Sequence, residues 1–236
     1  MRLAHLTMNR YATRCALVAL LAFGSTGCDD NDPITNPGNQ APLITIATNA
    51  TFGMAQLTTF AFAASVVEPN TDPVTVKWTF SDGTVVNGSN VWRRFPDPGS
   101  YEVFATATDH LGTSANSPTL TFVVATVSGD WGGEMDLSTC GAGTKPISAS
   151  LSQSGSVLTG TVTMPEGMCS SAGGTASIGT GDPGQVFGNG SVRLHIVVPG
   201  SIDASLTGQI GTDTNKITGT LEDANASGIP FTLNRQ

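Results

Sequence analysis

Charge is scarce in this sequence. Only 12% of its 236 residues are charged, with 10 Lys+Arg against 18 Asp+Glu. Three of the bases, Arg2, Arg10 and Arg14, precede residue 15, where there is no acid. Without them the balance is 7 against 18, or −11. Phosphate binding needs clustered Lys and Arg, so a nucleic-acid partner is excluded. Histidine is rare too, at 3. No G-x-S-x-G elbow and no H-E-x-x-H occurs, and no histidine has a nucleophile and an orienting acid nearby in sequence. Gly179, Gly181 and Gly184 match G-x-G-x-x-G, but Pro183 interrupts and no helix follows, so the stretch reads as a turn. Catalysis is not expected. Long apolar runs are lacking: Cys15–Phe23 (CALVALLAF) would rise only about 14 Å as a helix, against a bilayer core of roughly 30 Å. Nor is there a long stretch of 3.6-residue period. What is present is an apolar content of 39%, 28 Gly and many Thr, Ser and Val, which point to β-structure with many turns.

The basic segment Met1–Arg14, the short apolar run and the small residues after it have the pattern of an export signal. Ser25-Thr26-Gly27-Cys28 resembles the lipobox of bacterial lipoproteins, which implies a signal at 1–27 and a lipid on Cys28. Ser25 replaces the usual Leu, which leaves ordinary cleavage after Gly27 as the alternative. Cysteine counting favours the lipid. Removal of Cys15 leaves Cys28, Cys140 and Cys169; the last two can pair, and Cys28 is then odd. Residues 28–40 (CDDNDPITNPGNQ) read as an acidic tether. The expected location is the bacterial cell envelope, with the membrane unspecified.

Aromatic content divides the rest. Residues 41–125 hold ten aromatic side chains; residues 129–236 hold three, Trp131, Phe187 and Phe231, but twenty glycines. Neither stretch shows a long 3.6-residue period, so the fold class is all-β; in 41–125 the period-2 alternation is clean. Phe60, Phe62, Ala64 and Val66 share one strand face, and Val74, Val76, Trp78 and Phe80 share another. About seven short strands separated by turn signals predict an antiparallel sandwich over 41–125.

The run Val76-Lys77-Trp78-Thr79-Phe80-Ser81-Asp82-Gly83 resembles the W-x-F-G-D-G core of PKD (polycystic kidney disease) domains, with Ser81 in place of the usual Gly. Pro98-Gly99-Ser100-Tyr101 and Ala107-Thr108-Asp109-His110-Leu111-Gly112 follow in the family's order, and Asn39-Gln40-Ala41-Pro42 resembles its opening. The resemblance implies an Ig-like sandwich that mediates protein or polysaccharide contact or acts as a spacer. Some PKD domains bind calcium, and Asn39, Asn70, Asp72 and Asp109 are candidate ligands; turn chemistry is the competing reading of the same residues. Trp78 reads as core. Alternation puts Trp92 and Arg94 on one face and Arg93 and Phe95 on the other. Trp92 reads as buried at a sheet edge, with a Trp92–Arg94 contact patch as the alternative.

Residues 129–236 predict thin strands at 147–153, 157–164, 192–198, 202–210, 216–222 and 229–233, with a weak repeat that places Gly160 and Gly219 at matching positions. Hairpins of this kind predict a meander or a small up-and-down barrel, vaguely like avidin-type and lipocalin-type barrels. Three aromatics line a ligand pocket poorly. Cys140 and Cys169 are expected to form a disulfide; two cysteines without nearby His make poor zinc spacing. The expected function is a non-catalytic, lipid-anchored envelope protein that contacts protein or polysaccharide, without cofactor unless calcium. The alternative is a small-ligand carrier that uses an open barrel.

Overall fold

The computed structural model describes residues 38–236 except 170, 171, 180 and 225. The signal at 1–27, Cys28 and the spacer to residue 37 lie outside the described residues. Asn39–Gln236 form one compact unit. No α-helix occurs among the described residues; one 3-10 turn spans Ser138–Cys140.

The first body contains β1 (Leu43–Thr48), β2 (Phe52–Met54), β3 (Phe60–Val67), β4 (Val74–Phe80), β5 (Val85–Asn87), β6 (Asn90–Arg93), β7 (Gly99–Asp109), β8 (Ser114–Asn116) and β9 (Leu120–Ala125). One sheet has the order β1-β3-β6; the other runs β2-β9-β7-β4-β5, with β8 also paired to β7. Alternation decides what lies between the sheets. Phe60, Phe62, Trp78, Phe80, Phe95 and Phe122 are each at most 2% exposed, and their rings meet at 4.7–5.9 Å in edge-on and tilted pairs. Such pairs add about 0.5–1.5 kcal/mol each beyond the area they bury. The Trp78 indole N–H would be stranded there, and it donates to Gly88 O at 2.8 Å.

The motif residues build this body. Asp82 sits in the β4–β5 turn, where Arg93 grips both carboxylate oxygens, and Arg93 itself lies over the Phe80 and Phe95 rings at 4.8 and 4.4 Å. Gly83 takes φ +84, a conformation in which a Cβ is strained. The Tyr101 hydroxyl donates to Asp97 O at 2.9 Å, which ties the Pro98–Tyr101 turn to its own strand. Asp109 Oδ1 accepts from Leu111 N and Thr113 N, so it closes the β7–β8 turn.

The second body contains β10 (Gly129–Asp136), β11 (Thr144–Ser154), β12 (Val157–Met164), β13 (Gly174–Ile178), β14 (Gly184–Val186), β15 (Ser191–Val198), β16 (Ile202–Ile210), β17 (Lys216–Asp223) and β18 (Ile229–Arg235). The ladder β10-β11-β12-β14-β15-β16-β17-β18 returns to β10 and closes a barrel of eight strands, with β13 added on β12. Beyond the expected strands the structure adds β10, β13 and β14. The repeated glycines mark close approach of the strands: a Cβ on Gly160 would sit 2.0 Å from Ser150 O, and one on Gly219 would sit 2.0 Å from Thr207 O.

The barrel interior is filled by apolar side chains. Trp131, Met135, Leu158, Val162, Val186, Ile196, Leu206, Ile210, Ile217 and Leu221 are each at most 1% exposed, so no water-sized space borders them. One end is closed by the sandwich. Met54 of β2, 1% exposed, packs into the barrel core together with Ala125 and Val127. At the opposite end Leu137 and Met168 are fully buried beneath the Cys140–Cys169 disulfide, which joins the two end loops. Met54 and Ala125 of the sandwich thus belong to the barrel's core, while the sandwich keeps a separate core between its own sheets.

Candidate functional site

Most residues that the sequence singles out are spent on the fold. Trp78 and Asp109 are buried, and every motif side chain described above has a partner inside the sandwich. Trp92 differs. It is 69% exposed and not buried at a sheet edge. On β6 the inward positions are Val91 and, beyond the strand, Phe95; the intervening Trp92 points away from the core. Arg94 lies on the same side, where its Nε donates to Thr59 Oγ1 at 2.8 Å.

Trp92 stands at one end of the outer face of the β1-β3-β6 sheet. Ala61 is its cross-strand partner on β3, Ala63 pairs with both Ala47 and Asn90, and Thr45 pairs with Ser65. The far end of the face is the exposed pair Leu43 and Val67. Small and hydroxylated side chains keep the middle of the face low, and none of these outward positions is charged. A projecting indole beside a low, neutral, hydroxyl-bearing strip can stack a planar or ring-shaped apolar surface while it leaves hydrogen-bonding groups at the ligand's edge.

The four candidate calcium ligands occupy the pole of the sandwich farthest from the barrel. Asn39 Nδ2 donates to Asp109 Oδ2 at 2.6 Å, Asn70 Oδ1 accepts from Gln40 N at 2.8 Å, and Asp72 faces His110 Nδ1 at 3.3 Å. Asn39 and Asp109 are brought together; Asn70 and Asp72 are held by other partners. These three contacts join separate loops, while Asp109 also closes its own turn through Leu111 N and Thr113 N; no group of three His, Cys, Asp or Glu that could hold a metal ion occurs among the described residues. Cys140 and Cys169 are bonded, as expected.

A cluster on the outer barrel wall has no local signal in the sequence. His195 on β15 contacts Asp182 through Nδ1 at 2.6 Å and Asp203 on β16 through Nε2 at 2.8 Å. Hydrogen bonds to Asp203 and Asp182 raise the imidazole pKa above its ordinary 6.5. Ser205 lies across from His195 in the ladder. Even so, an imidazole with both nitrogens bonded to carboxylates holds its protons and is a poor general base. The nearest acids in sequence are eight and thirteen residues away, a spacing that belongs to no motif.

The described grooves lie on the outer surface. One of about 500 Å3 runs between sandwich and barrel, past Pro98, Val123, Thr212, Thr214 and Arg235. Another of about 340 Å3 flanks His195, and one of about 360 Å3 crosses the barrel wall at Gly132, Ser148 and Thr161. None enters the barrel.

Comparison with known proteins agrees with the architecture of the first body. No curated protein matches the sequence. One solved structure, described with the promiscuous specificity of carbohydrate-binding modules of the beta-sandwich super family, aligns with 84% of this chain and 91% of its own at 17% identity and a TM-score of 0.36, too low a likeness to bear on function. Residues 39–124 match the family model of the PKD domain, and the N-terminal sandwich of the chain is accordingly a PKD domain.

Proposed function

We propose that the chain is a non-catalytic contact protein of the bacterial cell envelope, held at a membrane by a lipid on Cys28, whose PKD domain binds polysaccharide through Trp92. The observation that carries the contact is the 69% exposure of Trp92 at the end of a low, uncharged sheet face. An indole left in water at that level gains from stacking on the apolar face of a sugar ring, and Arg94, Thr45 and Ser65 offer hydrogen bonds to hydroxyls. Lipid attachment rests on the basic leader, the short apolar run and Thr26-Gly27-Cys28.

The alternative of a small-ligand carrier has no observation in its favour, because the barrel interior is occupied by its own side chains. The contact is tested by co-sedimentation of the protein with insoluble envelope polysaccharides. Wild type should pellet with at least one of them and Trp92→Ala should remain in solution; equal behaviour of the two would remove the patch. Mass spectrometry of the mature N-terminus tests the anchor, since an unmodified Cys28 would overturn it.

A further inference from the structure

Among the described residues the ladder that closes the barrel is thinnest at one seam. β12 pairs with β13 over Gly160–Met164 and with β14 only at Val157 and Leu158. β15 in turn pairs with β14 only at Val192 and Arg193. Among the described residues no ladder joins β13 to the remainder of β15, Leu194–Val198, although the two strands lie in contact. Buried Ile178 and Ala176 on one strand and Leu194 and Ile196 on the other lie directly behind this seam. What holds it is side chains. At the end near the disulfide, Ser201 Oγ donates to Gly173 O at 3.3 Å. At the middle, His195 of β15 is clasped between Asp182, in the connection from β13 to β14, and Asp203 at the start of β16.

Both ring nitrogens of His195 face carboxylate oxygens, which only accept hydrogen bonds. Two such bonds at once require a proton on each nitrogen, so the clasp is complete only with the imidazolium. We propose that protonated His195 acts as a pH-sensitive clip that pins the β13–β14 connection across the open seam of the barrel, and that the seam loosens as the ring loses a proton. The neutral ring can donate to one carboxylate and must set a bare nitrogen against the other, with two carboxylates left close together.

Other charges nearby do not reverse this. Arg193 lies on the same face of β15 and disfavours the imidazolium; Glu222 on β17, opposite Ser205, favours it. The two acids in contact dominate at 2.6 and 2.8 Å. β13 presents Thr175 and Ser177 outward and brings no charge. A group whose pKa is raised in the closed form stabilises that form fully below its unperturbed pKa of about 6.5 and progressively less as pH rises through the closed-form value. Each unit of elevation is worth roughly tenfold in the closing equilibrium.

The test is hydrogen exchange on the full chain between pH 5.5 and 9, read as protection factors of the β13 and β15 amides, with His195 titrated by NMR in the same samples. Protection at the seam should fall as pH rises through the measured His195 titration, while amides of β4 in the sandwich hold theirs. Asp182→Asn, a surface change that leaves the core untouched, should lower the His195 pKa toward 6.5 and flatten the seam's pH dependence. Seam protection that stays constant across the titration, or an Asp182→Asn protein with the wild-type profile, would overturn the clip.

Discussion

The Arg235 guanidinium lies 4.2 Å from the centroid of the Trp131 ring, and these two side chains together hold the segment that joins sandwich to barrel. Trp131 Nε1 donates to Val127 O at 2.9 Å, while Arg235 donates to Thr126 O at 2.8 Å and Ser128 O at 2.6 Å. A third carbonyl, Thr214 O, accepts from Arg235 at 3.2 Å. Among the described residues no acid takes part; partial burial lowers the Arg235 pKa, and the charge is balanced by backbone dipoles and the ring face. Arg235→Ala strands three carbonyls and removes the cation–π contact, so it should cost about 2–4 kcal/mol. Urea unfolding followed by Trp fluorescence measures it, and Arg235→Lys should recover only part.

Met54 makes the same junction cooperative. Its side chain leaves the sandwich and is 1% exposed within the barrel's core cluster. The chain from residue 39 onward should therefore unfold in one transition, with coincident near-UV and far-UV curves. Met54→Ala should lower the midpoint by the equivalent of about 2–5 kcal/mol and separate the two curves.

The repeated glycines should be intolerant for a stated geometric reason. A Cβ on Gly219 meets Thr207 O at 2.0 Å and the Phe231 ring at 2.7 Å. Neither can yield without a shift of a barrel strand. Gly219→Ala is expected to destabilise by about 3 kcal/mol or more, seen as loss of folded protein at moderate urea. Gly155→Ala, in a turn with open space around the Cβ but φ +58, should cost about 1 kcal/mol.

Acid sensitivity should track Asp82. Its hydrogen bonds to Arg93 hold its pKa down to about 2. A lowered carboxyl pKa stabilises the fold above the unfolded value of about 4, and that contribution is lost as pH falls toward 2. The pair is partly solvated, so the contribution is discounted to about 1 kcal/mol. Urea midpoints at pH 5.5 and pH 2.5 should therefore differ less in Asp82→Asn than in wild type.

The Cys140–Cys169 bond, which spans 29 positions, closes the barrel end away from the sandwich. Its removal by Cys140→Ser with Cys169→Ser should cost about 3–4 kcal/mol in the chain-entropy account. Reductant should produce the same shift in wild type and none in the double variant.

The sandwich was legible because its signals are local. Trp78, Phe80 and Asp82-Gly83 carry alternation and turn chemistry within eight residues, and the aromatic side chains they anchor fill the core. β10 was missed because Gly129, Gly132 and Gly133 interrupt the alternation of Trp131 and Met135; its strand character comes from pairing with β11 and β18 on both sides. β13 and β14 were missed for a related reason: two short pieces share one neighbour, β12, and only barrel closure defines them. Trp92 is exposed rather than buried at a sheet edge because alternation along β6 sends it to the face opposite Val91 and Phe95. The Asp182–His195–Asp203 cluster left no local trace, since register across β15 and β16 assembles it.

The contact face allows one direct measurement. Trp78 and Trp131 are 0% and 1% exposed, while Trp92 is 69% exposed, so solvent-sensitive emission comes from Trp92. Titration of the protein with soluble fragments of the polysaccharides that retain it should shift the emission to the blue in a saturable way, and the shift should vanish in Trp92→Ala with the fold intact. An emission spectrum unchanged at saturating polysaccharide, or an equal shift in Trp92→Ala, would contradict the account.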